Sequence, residues 1–288
     1  GNDIIDGGAG TDTLDGEGGA DVLTGGAGND VFKYNAVADS SGNTKDTITD
    51  FEQSTLNATT GAQITNGDSI SLIVSSGAVA DGNTTSFILS DKGDVANAGE
   101  AVNAMDNSSG SFVFAKDNDV LYIDLDGDST LNTDDYAFKL TGLDSFHGAD
   151  IDVTVSGDND AATTITTLDG NDIITTGSAD DIITSGGGAD TIVAGIGANT
   201  ITAGAGADII TTGTGADIIN GGAGNDSITV GATGDNIITP GTGDDSLIMT
   251  AIVSKDGKTK IIDFEDAGAT VGDVITLGTA NSDLAGTT

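Results

Sequence analysis

Residues 221–229 read GGAGNDSIT. Three glycines and one aspartate fall within the first six of these residues, and alternating polar and apolar residues follow them. A glycine-rich phosphate loop occurs once, between a strand and a long helix. This pattern instead recurs every nine residues, no helical sequence follows it, and acidic side chains line its loops. We therefore interpret it as one unit of a repetitive fold.

The repeats form two arrays, the first in residues 1–33 and the second from about residue 167. The segment 158–166 fits the frame only at Ile165, and we interpret it as a degenerate first repeat of the second array. The eighth position of each in-frame copy is apolar. The sixth position carries aspartate or asparagine: Asp3, Asp12, Asp21, Asp30, Asp172, Asp181, Asp190, Asn199, Asp208, Asp217, Asp226, Asn236 and Asp245. Because one residue is inserted before Asn236, we expect the regular ladder to be lost from the Asp226 copy onward.

The acidic composition indicates a specific use of aspartate. The chain has 288 residues and a net charge of −38, and its 8 basic residues are all lysine. Only Glu17, Glu52, Glu100 and Glu265 are glutamate among 46 acidic residues, whereas an acidic surface that is merely solvated would use both types. Selective use of the shorter carboxylate suggests a ligand role, as in oxygen-coordinated calcium.

The same composition argues against several classes of partner. A net charge of −38 repels nucleic acid and anionic lipid. No apolar run is long enough to span a bilayer, and the sequence shows no amino-terminal signal peptide. Cysteine is absent, which excludes disulfides and thiolate zinc sites. A metal ion is then the candidate clamp for a secreted fold without disulfides.

The nonapeptide resembles the RTX (repeats-in-toxin) repeat GGxGxDxUx. The resemblance implies an all-β fold in which two repeats make one coil of a parallel β-roll, so that stacked turns are 18 residues apart. It also implies calcium ions between stacked turns, bound by backbone carbonyls and by the sixth-position side chains, for example Asp208 with Asp226. Because Asn199 is neutral, the two calcium sites that it would share with Asp181 and Asp217 should be weaker. We expect a chain that is largely disordered without calcium, because one inward apolar side chain per repeat offsets little of the ordering entropy.

A similar segment follows each array. DTITDFE (46–52) matches TKIIDFE (259–265), which aligns Ile48, Asp50, Phe51 and Glu52 with Ile261, Asp263, Phe264 and Glu265. In RTX proteins such a segment closes the open end of the roll, where strand edges and core would otherwise be exposed. We therefore predict a first roll (1–34), a cap segment (35–75), a β-rich domain (76–155), a second roll (156–250) and a second cap segment (251–288).

The middle of the chain has a different pattern. SFVFA (111–115) and VLYID (120–124) alternate in polarity and predict antiparallel strands. DLDGDSTLNTDD (124–135) then matches an EF-hand-type calcium loop, with candidate ligands Asp124, Asp126, Asp128, Asn132 and Asp135. It departs from that pattern at Ser129, where glycine is usual, and at Asp135, where glutamate is usual. The alternative interpretation is a polar turn between strands.

The sequence offers no catalytic set, and we expect a protein that is not an enzyme. We interpret the single histidine, His147, as a surface or cap-packing residue, and a zinc hydrolase would need more nitrogen or sulfur ligands. The lysines 255, 258 and 260 are interpreted as a solvated hairpin. The seventh and ninth repeat positions carry isoleucine and threonine, which suit a flat sheet, although exposed isoleucines are alternatively a contact face.

These features favour a secreted, calcium-dependent structural protein that self-associates into a surface layer or extracellular filament, as some RTX proteins do. The alternatives are an adhesin segment that binds a cell-surface glycan, and the calcium-folding export module of a larger secreted hydrolase. The resemblance implies bacterial type I secretion and folding after export, because cytosolic calcium is too low for modules of this kind. Because the first array opens in mid-repeat at Gly1, we expect a fragment or processed product, or else head-to-tail stacking on the uncovered roll edge.

Overall fold

The structure is a computed structural model that describes residues 1–41, 44–53, 55–56, 63–65, 67–74, 86–95, 110–115, 119–124, 136–141, 151–156, 162–231, 233–250, 259–263 and 272–277. The chain divides into two compact units. Unit 1 comprises Gly1–Val155 with Thr167–Gly170, and unit 2 comprises Ser156–Thr166 with Asn171–Thr288. No helix in the described part of the chain has the length and apolar character that a membrane span requires.

In its described residues, unit 1 is built from short strands, with a 3-10 turn at Val37–Asp39. The strands are β1 (Ile4–Ala9), β2 (Thr13–Leu14), β3 (Val22–Ala27), β4 (Val31–Tyr34), β5 (Asp46–Ile48), β6 (Thr55–Leu56), β7 (Gln63–Thr65), β8 (Ser69–Val74), β9 (Ser86–Val95), β10 (Gly110–Ala115), β11 (Val120–Asp124), β12 (Tyr136–Leu140) and β13 (Ile151–Ser156). Strands β1, β3 and β5 stack in parallel on one face, and β2, β4, β8 and β13 stack in parallel on the other.

Unit 2 repeats the same arrangement over a longer array. Its strands are β14 (Thr164–Thr166), β15 (Ile173–Thr175), β16 (Ile182–Thr184), β17 (Thr191–Val193), β18 (Thr200–Ala205), β19 (Ile209–Thr211), β20 (Ile218–Ala223), β21 (Ser227–Val230), β22 (Ile237–Thr242), β23 (Ser246–Met249), β24 (Lys260–Ile261) and β25 (Val274–Leu277). The even-numbered strands stack in parallel on one face and the odd-numbered strands on the other. The predicted all-β fold with parallel β-rolls is therefore confirmed.

The core of the second roll is a column of eighth-position side chains. Ile201 lies opposite Ile219, and Ile210 lies opposite Ile228, and all four are buried. Their neighbours on each strand point outward because strand side chains alternate, so Ile209 is 53% exposed next to the buried Ile210. Each nonapeptide thus supplies one large core residue from its eighth position. The first position is buried as well, as at Ala203 and Val230.

Two irregular copies in the second array keep the register of the roll. The degenerate repeat contributes Ile165, which is buried opposite Ile183, as the sequence predicted. The inserted residue does not break the ladder, because Ile228 still lies opposite Leu247. Our expectation that regularity is lost from the Asp226 copy onward is wrong. The extra residue lies in the turn between β21 and β22, where it displaces no core position.

The segment after the first array extends and covers the roll. Ile48 in β5 lies opposite Leu23 as the next core residue. Asp50 accepts hydrogen bonds from the backbone N–H groups of Gly25 and Gly26, both at 2.9 Å. The Phe51 ring packs against that of Phe32, with 6.0 Å between ring centroids. In the second segment Ile261 lies opposite Ile238, while residues 264 and 265 fall outside the described residues.

The middle of unit 1 forms the predicted antiparallel pair. Val113 in β10 lies opposite Tyr122 in β11, and β11 pairs with β12 in the same sense. Strand β12 then joins β5 in parallel, with Phe138 opposite Asp46. The candidate calcium loop follows β11 directly: Asp124 ends that strand, and Asp126, Asp128, Asn132 and Asp135 lie outside the described residues, as does His147.

Candidate metal centre

The sixth-position aspartates connect successive coils through one side-chain oxygen. The Oδ1 atom of Asp226 accepts a hydrogen bond of 2.9 Å from the backbone N–H of Asp208, one coil earlier. In the first roll Asp21 accepts the N–H of Asp3 at 2.7 Å, and Asp30 accepts that of Asp12 at 2.9 Å. The repeat length of the nonapeptide explains this ladder, because two repeats return the chain to the same edge of the roll.

Among the described residues, the sixth-position side chains form four such ladders, two in each unit. In unit 1 they run Asp3–Asp21–Asp46 and Asp12–Asp30–Asp68. In unit 2, one edge carries aspartate at every position, and we call it the acidic edge: Asp172, Asp190, Asp208, Asp226, Asp245 and Asp273. The opposite edge of the same roll, the mixed edge, alternates neutral and acidic residues: Thr163, Asp181, Asn199, Asp217 and Asn236.

Three of these aspartates were not among the residues predicted from the sequence. Asp46, Asp68 and Asp273 lie in the cap segments and continue the ladders at their ends. Each is followed two residues later by isoleucine, which is the local pattern of the repeat itself; Ile48 and Ile70 are buried, whereas Ile275 is exposed. The spacing of the repeats did not predict them, because they come 25, 38 and 28 residues after the aspartates that they contact.

The second oxygen of these carboxylates is the feature that points to a cation. The Oδ2 atoms of several sixth-position aspartates are buried and have no hydrogen-bond partner among the described residues: Asp12, Asp21, Asp30, Asp181, Asp208 and Asp226. A buried carboxylate oxygen without a partner is costly unless a cation or a proton compensates it. The ladders therefore contain negative charge that no described residue neutralises.

Burial has the expected effect on the acidity of these groups. It raises the pKa of Asp226 to about 7, and the neighbouring charges of Asp208 and Asp245 act in the same direction. The N–H of Asp208 opposes the shift by stabilising the carboxylate. Burial likewise raises the pKa of Asp46 to about 7 and that of Asp68 to about 6.

The remaining ligands of a metal would have to come from the backbone. In the part of the chain that is described, no three His, Cys, Asp or Glu side chains gather into one metal cluster. Each interval of a ladder, by which we mean the space between two successive sixth-position side chains, offers only those two side chains. Turn carbonyls do face the sixth-position side chain: the Nδ2 of Asn199 donates to the carbonyl oxygens of Ala194 at 3.1 Å and Gly197 at 3.2 Å. Carboxylate and carbonyl oxygens together form the donor set that calcium prefers.

Glycine makes the close stacking of these turns possible. Gly206 has a φ of +147°, and a Cβ atom there would overlap the carbonyl oxygen of Gly188 in the coil below. Gly222 has a φ of +112° and meets the carbonyl oxygen of Gly204 in the same way. The turns therefore need glycine both for their conformation and for their spacing.

Comparison with known proteins identifies the repeats. The family model of the RTX calcium-binding nonapeptide repeat, which spans four copies, matches residues 1–32, 157–192 and 193–228. These matches cover the first roll and most of the second. A search of curated proteins found no relative of the chain.

Proposed function

Because the chain carries RTX calcium-binding repeats that fold as parallel β-rolls, we propose that the sixth-position aspartates bind calcium and that this binding drives folding. The observation that carries the proposal is the row of buried, unpartnered Oδ2 atoms, for example those of Asp21, Asp208 and Asp226. A calcium ion in each interval would supply two positive charges between carboxylates of successive coils. The chain itself supplies the turn, the carboxylates and the carbonyl oxygens.

Calcium-dependent folding follows from the balance of forces in the ladder. Without a cation, aspartates of successive coils are buried close together and repel each other, which opposes stacking. The eighth-position column is one residue wide per repeat and cannot offset this repulsion together with the entropy of ordering glycine-rich turns. With a cation the same carboxylates become the clamp that holds adjacent coils together.

The test is circular dichroism of the intact chain during a calcium titration that starts in excess chelator. We expect β structure to appear cooperatively, at roughly 0.1–1 mM calcium if the sites resemble other extracellular modules. The control is magnesium at the same concentration, which screens charge but demands octahedral geometry and retains its waters. A complete β spectrum in chelator would overturn the proposal.

We further propose that the protein is secreted, in a bacterium, by type I secretion. RTX repeats are typical of secreted bacterial proteins, and a chain that needs calcium at this level would stay unfolded in the cytosol. The acidic composition, with a net charge of −38, keeps such an unfolded chain soluble during export. Fractionation of the native host into cytosol, surface and medium tests this location directly.

Outside the cell we propose a structural role, in which folded chains self-associate into a surface layer or filament. No catalytic step is part of this role. The outward positions of the second roll support it, because Ile173, Ile182 and Ile218 are each about half exposed and carry no charge. Electron microscopy with calcium and with chelator tests assembly. A monodisperse monomer in millimolar calcium would contradict it, and glycan binding by that monomer would favour the adhesin alternative.

A further inference from the structure

The two edges of the second roll differ in charge although they share one backbone geometry. On both edges the N–H of each sixth-position residue donates to the side-chain oxygen of the next coil, at 2.8–3.1 Å. Every interval on the acidic edge lies between two aspartates. Every interval on the mixed edge lies between one aspartate and one neutral residue. The charge available to a divalent cation is therefore halved on the mixed edge.

At Asn199, in the middle of the mixed edge, amide hydrogen bonds take the place of the carboxylate charge. Its Oδ1 accepts the N–H of Asp181 at 3.0 Å, which is the role that Oδ1 plays in an aspartate. Its Nδ2 donates to the carbonyl oxygens of Ala194 and Gly197 in its own turn. The side chain is fully buried, and its amide thus occupies the turn with hydrogen bonds alone.

Asp208 and Asp226 on the acidic edge present the opposite case. Each has the same Oδ1 contact with the coil below. The Oδ2 atom, which corresponds to Nδ2 of Asn199, is buried and has no hydrogen-bond partner among the residues described. An amide donates to carbonyl oxygens, whereas a carboxylate repels them. These two positions consequently need a cation in the place where Asn199 needs none.

We propose that calcium loads the two edges of the second roll unequally, with tight sites along the acidic edge and only weak sites along the mixed edge. The inference rests on the proposed function, namely that paired aspartates bind calcium. Its physical basis is the number of carboxylates per interval, because calcium affinity in oxygen sites rises with ligand charge. On the mixed edge, amides accept two of the four contacts between coils, and each interval holds one carboxylate instead of two. A roll loaded on the acidic edge alone is therefore a distinct state at intermediate calcium.

The experiment counts tightly bound calcium on the intact chain by equilibrium dialysis at a subsaturating concentration. Asp208→Asn removes a carboxylate from two intervals of the acidic edge and should lower the count by about two. Asp217→Asn is the matched control on the mixed edge and should leave the count unchanged. Asn199→Asp creates three consecutive aspartates on the mixed edge and should raise the count by about two.

The outcomes separate this inference from the proposed function. If Asp217→Asn loses as many tight ions as Asp208→Asn, the inference is overturned while calcium binding stands. If the unmodified chain binds no calcium tightly, the proposed function itself is contradicted, and the inference that rests on it is contradicted too. Circular dichroism at saturating calcium checks folding of each variant, and Asn199 shows that an amide fits this position. Should Asp208→Asn still fail to fold, Asn199→Asp decides: an unchanged count contradicts unequal loading, and a raised count supports it.

Discussion

A single aspartate performs two separable tasks in this fold. Through Oδ1 the side chain of Asp226 accepts the N–H of Asp208, and this contact sets the register between coils. Its Oδ2 is buried, has no partner in the part of the chain that the structure describes, and is left for a cation. Asparagine retains the first task and loses the second, which is why the amide of Asn199 stands in the ladder without distorting it.

Because the two oxygens have separate tasks, two substitutions of Asp226 should lower the free energy of unfolding by different amounts. Asp226→Asn and Asp226→Ala both remove the charge, but only alanine leaves the buried N–H of Asp208 without its acceptor. We expect the alanine variant to be less stable than the asparagine variant by about 1–3 kcal/mol. Urea unfolding at saturating calcium measures the difference. Equal stabilities would show that the hydrogen bond contributes nothing to coil stacking.

The sequence predicted the candidate site residues wherever the nine-residue frame continued. It identified Asp208 and Asp226 because both the turn glycines and the inward isoleucine flank them at fixed spacing. It missed Asp46 and Asp68, since the chain leaves the roll and returns after segments of unrelated length. Only the three-dimensional stacking shows that these returning strands supply the next aspartate of each ladder.

At the scale of the element, a strand contributes to the core through one face only. Ile209 and Ile210 are neighbours on β19 with opposite environments, the first 53% exposed and the second fully buried. We expect Ile210→Ala to destabilise the calcium-loaded protein by roughly 2–5 kcal/mol. The matched control Ile209→Ala should change stability by no more than about 0.5 kcal/mol. Thermal unfolding in calcium checks the pair, and a large effect of Ile209→Ala would indicate that its face is covered.

The turns impose a second constraint, which a pair of glycines in the first roll can test. Gly26 has a φ of +102°, and a Cβ there would overlap the carbonyl oxygen of Gly8. A Cβ at Gly18 would meet nothing within 4 Å. We expect Gly26→Ala to cost at least about 1–3 kcal/mol from backbone strain alone, whereas Gly18→Ala should be close to neutral. The calcium concentration required for folding, followed by circular dichroism, should rise only for Gly26→Ala.

Strand type and inward face were predictable because the hydrophobic period is strict over each array. The effect of the inserted residue before Asn236 was not predictable from the sequence. Counting residues suggested a broken ladder, yet Asp217 still donates to Asn236 Oδ1 at 2.8 Å. A turn on the surface can absorb one residue without moving the strands on either side, and the spacing alone does not distinguish that case from a shift of register.

For the molecule as a whole, the dominant quantity is the net charge of −38. Among the described residues, the fold buries twelve of the 46 acidic side chains as aspartates at the edges of the rolls. Burial disfavours the charged form of these carboxylates. Protons and calcium are then alternative ways of neutralising the same carboxylates. They should stabilise the fold under opposite conditions, because protons compete with calcium for each oxygen.

The final prediction concerns the pH dependence of the metal-free chain. Asp46 and Asp226 have a folded-state pKa of about 7 and Asp68 one of about 6, whereas an unfolded aspartate titrates near ~3.9. Between these values the folded chain holds protons that the unfolded chain has lost, so stability is present at low pH and is lost as pH rises through the folded pKa. In excess chelator we therefore expect β structure to increase as the pH falls from about 8 to about 5.

With calcium present the dependence should reverse, and the calcium concentration required for folding should rise over the same fall in pH. Circular dichroism at matched ionic strength measures both series. The variant Asp226→Asn provides the control, because it removes one of the shifted groups and should flatten the metal-free dependence. A β content in chelator that stays constant or falls on acidification would mean that the buried carboxylates are not what keeps the metal-free chain unfolded.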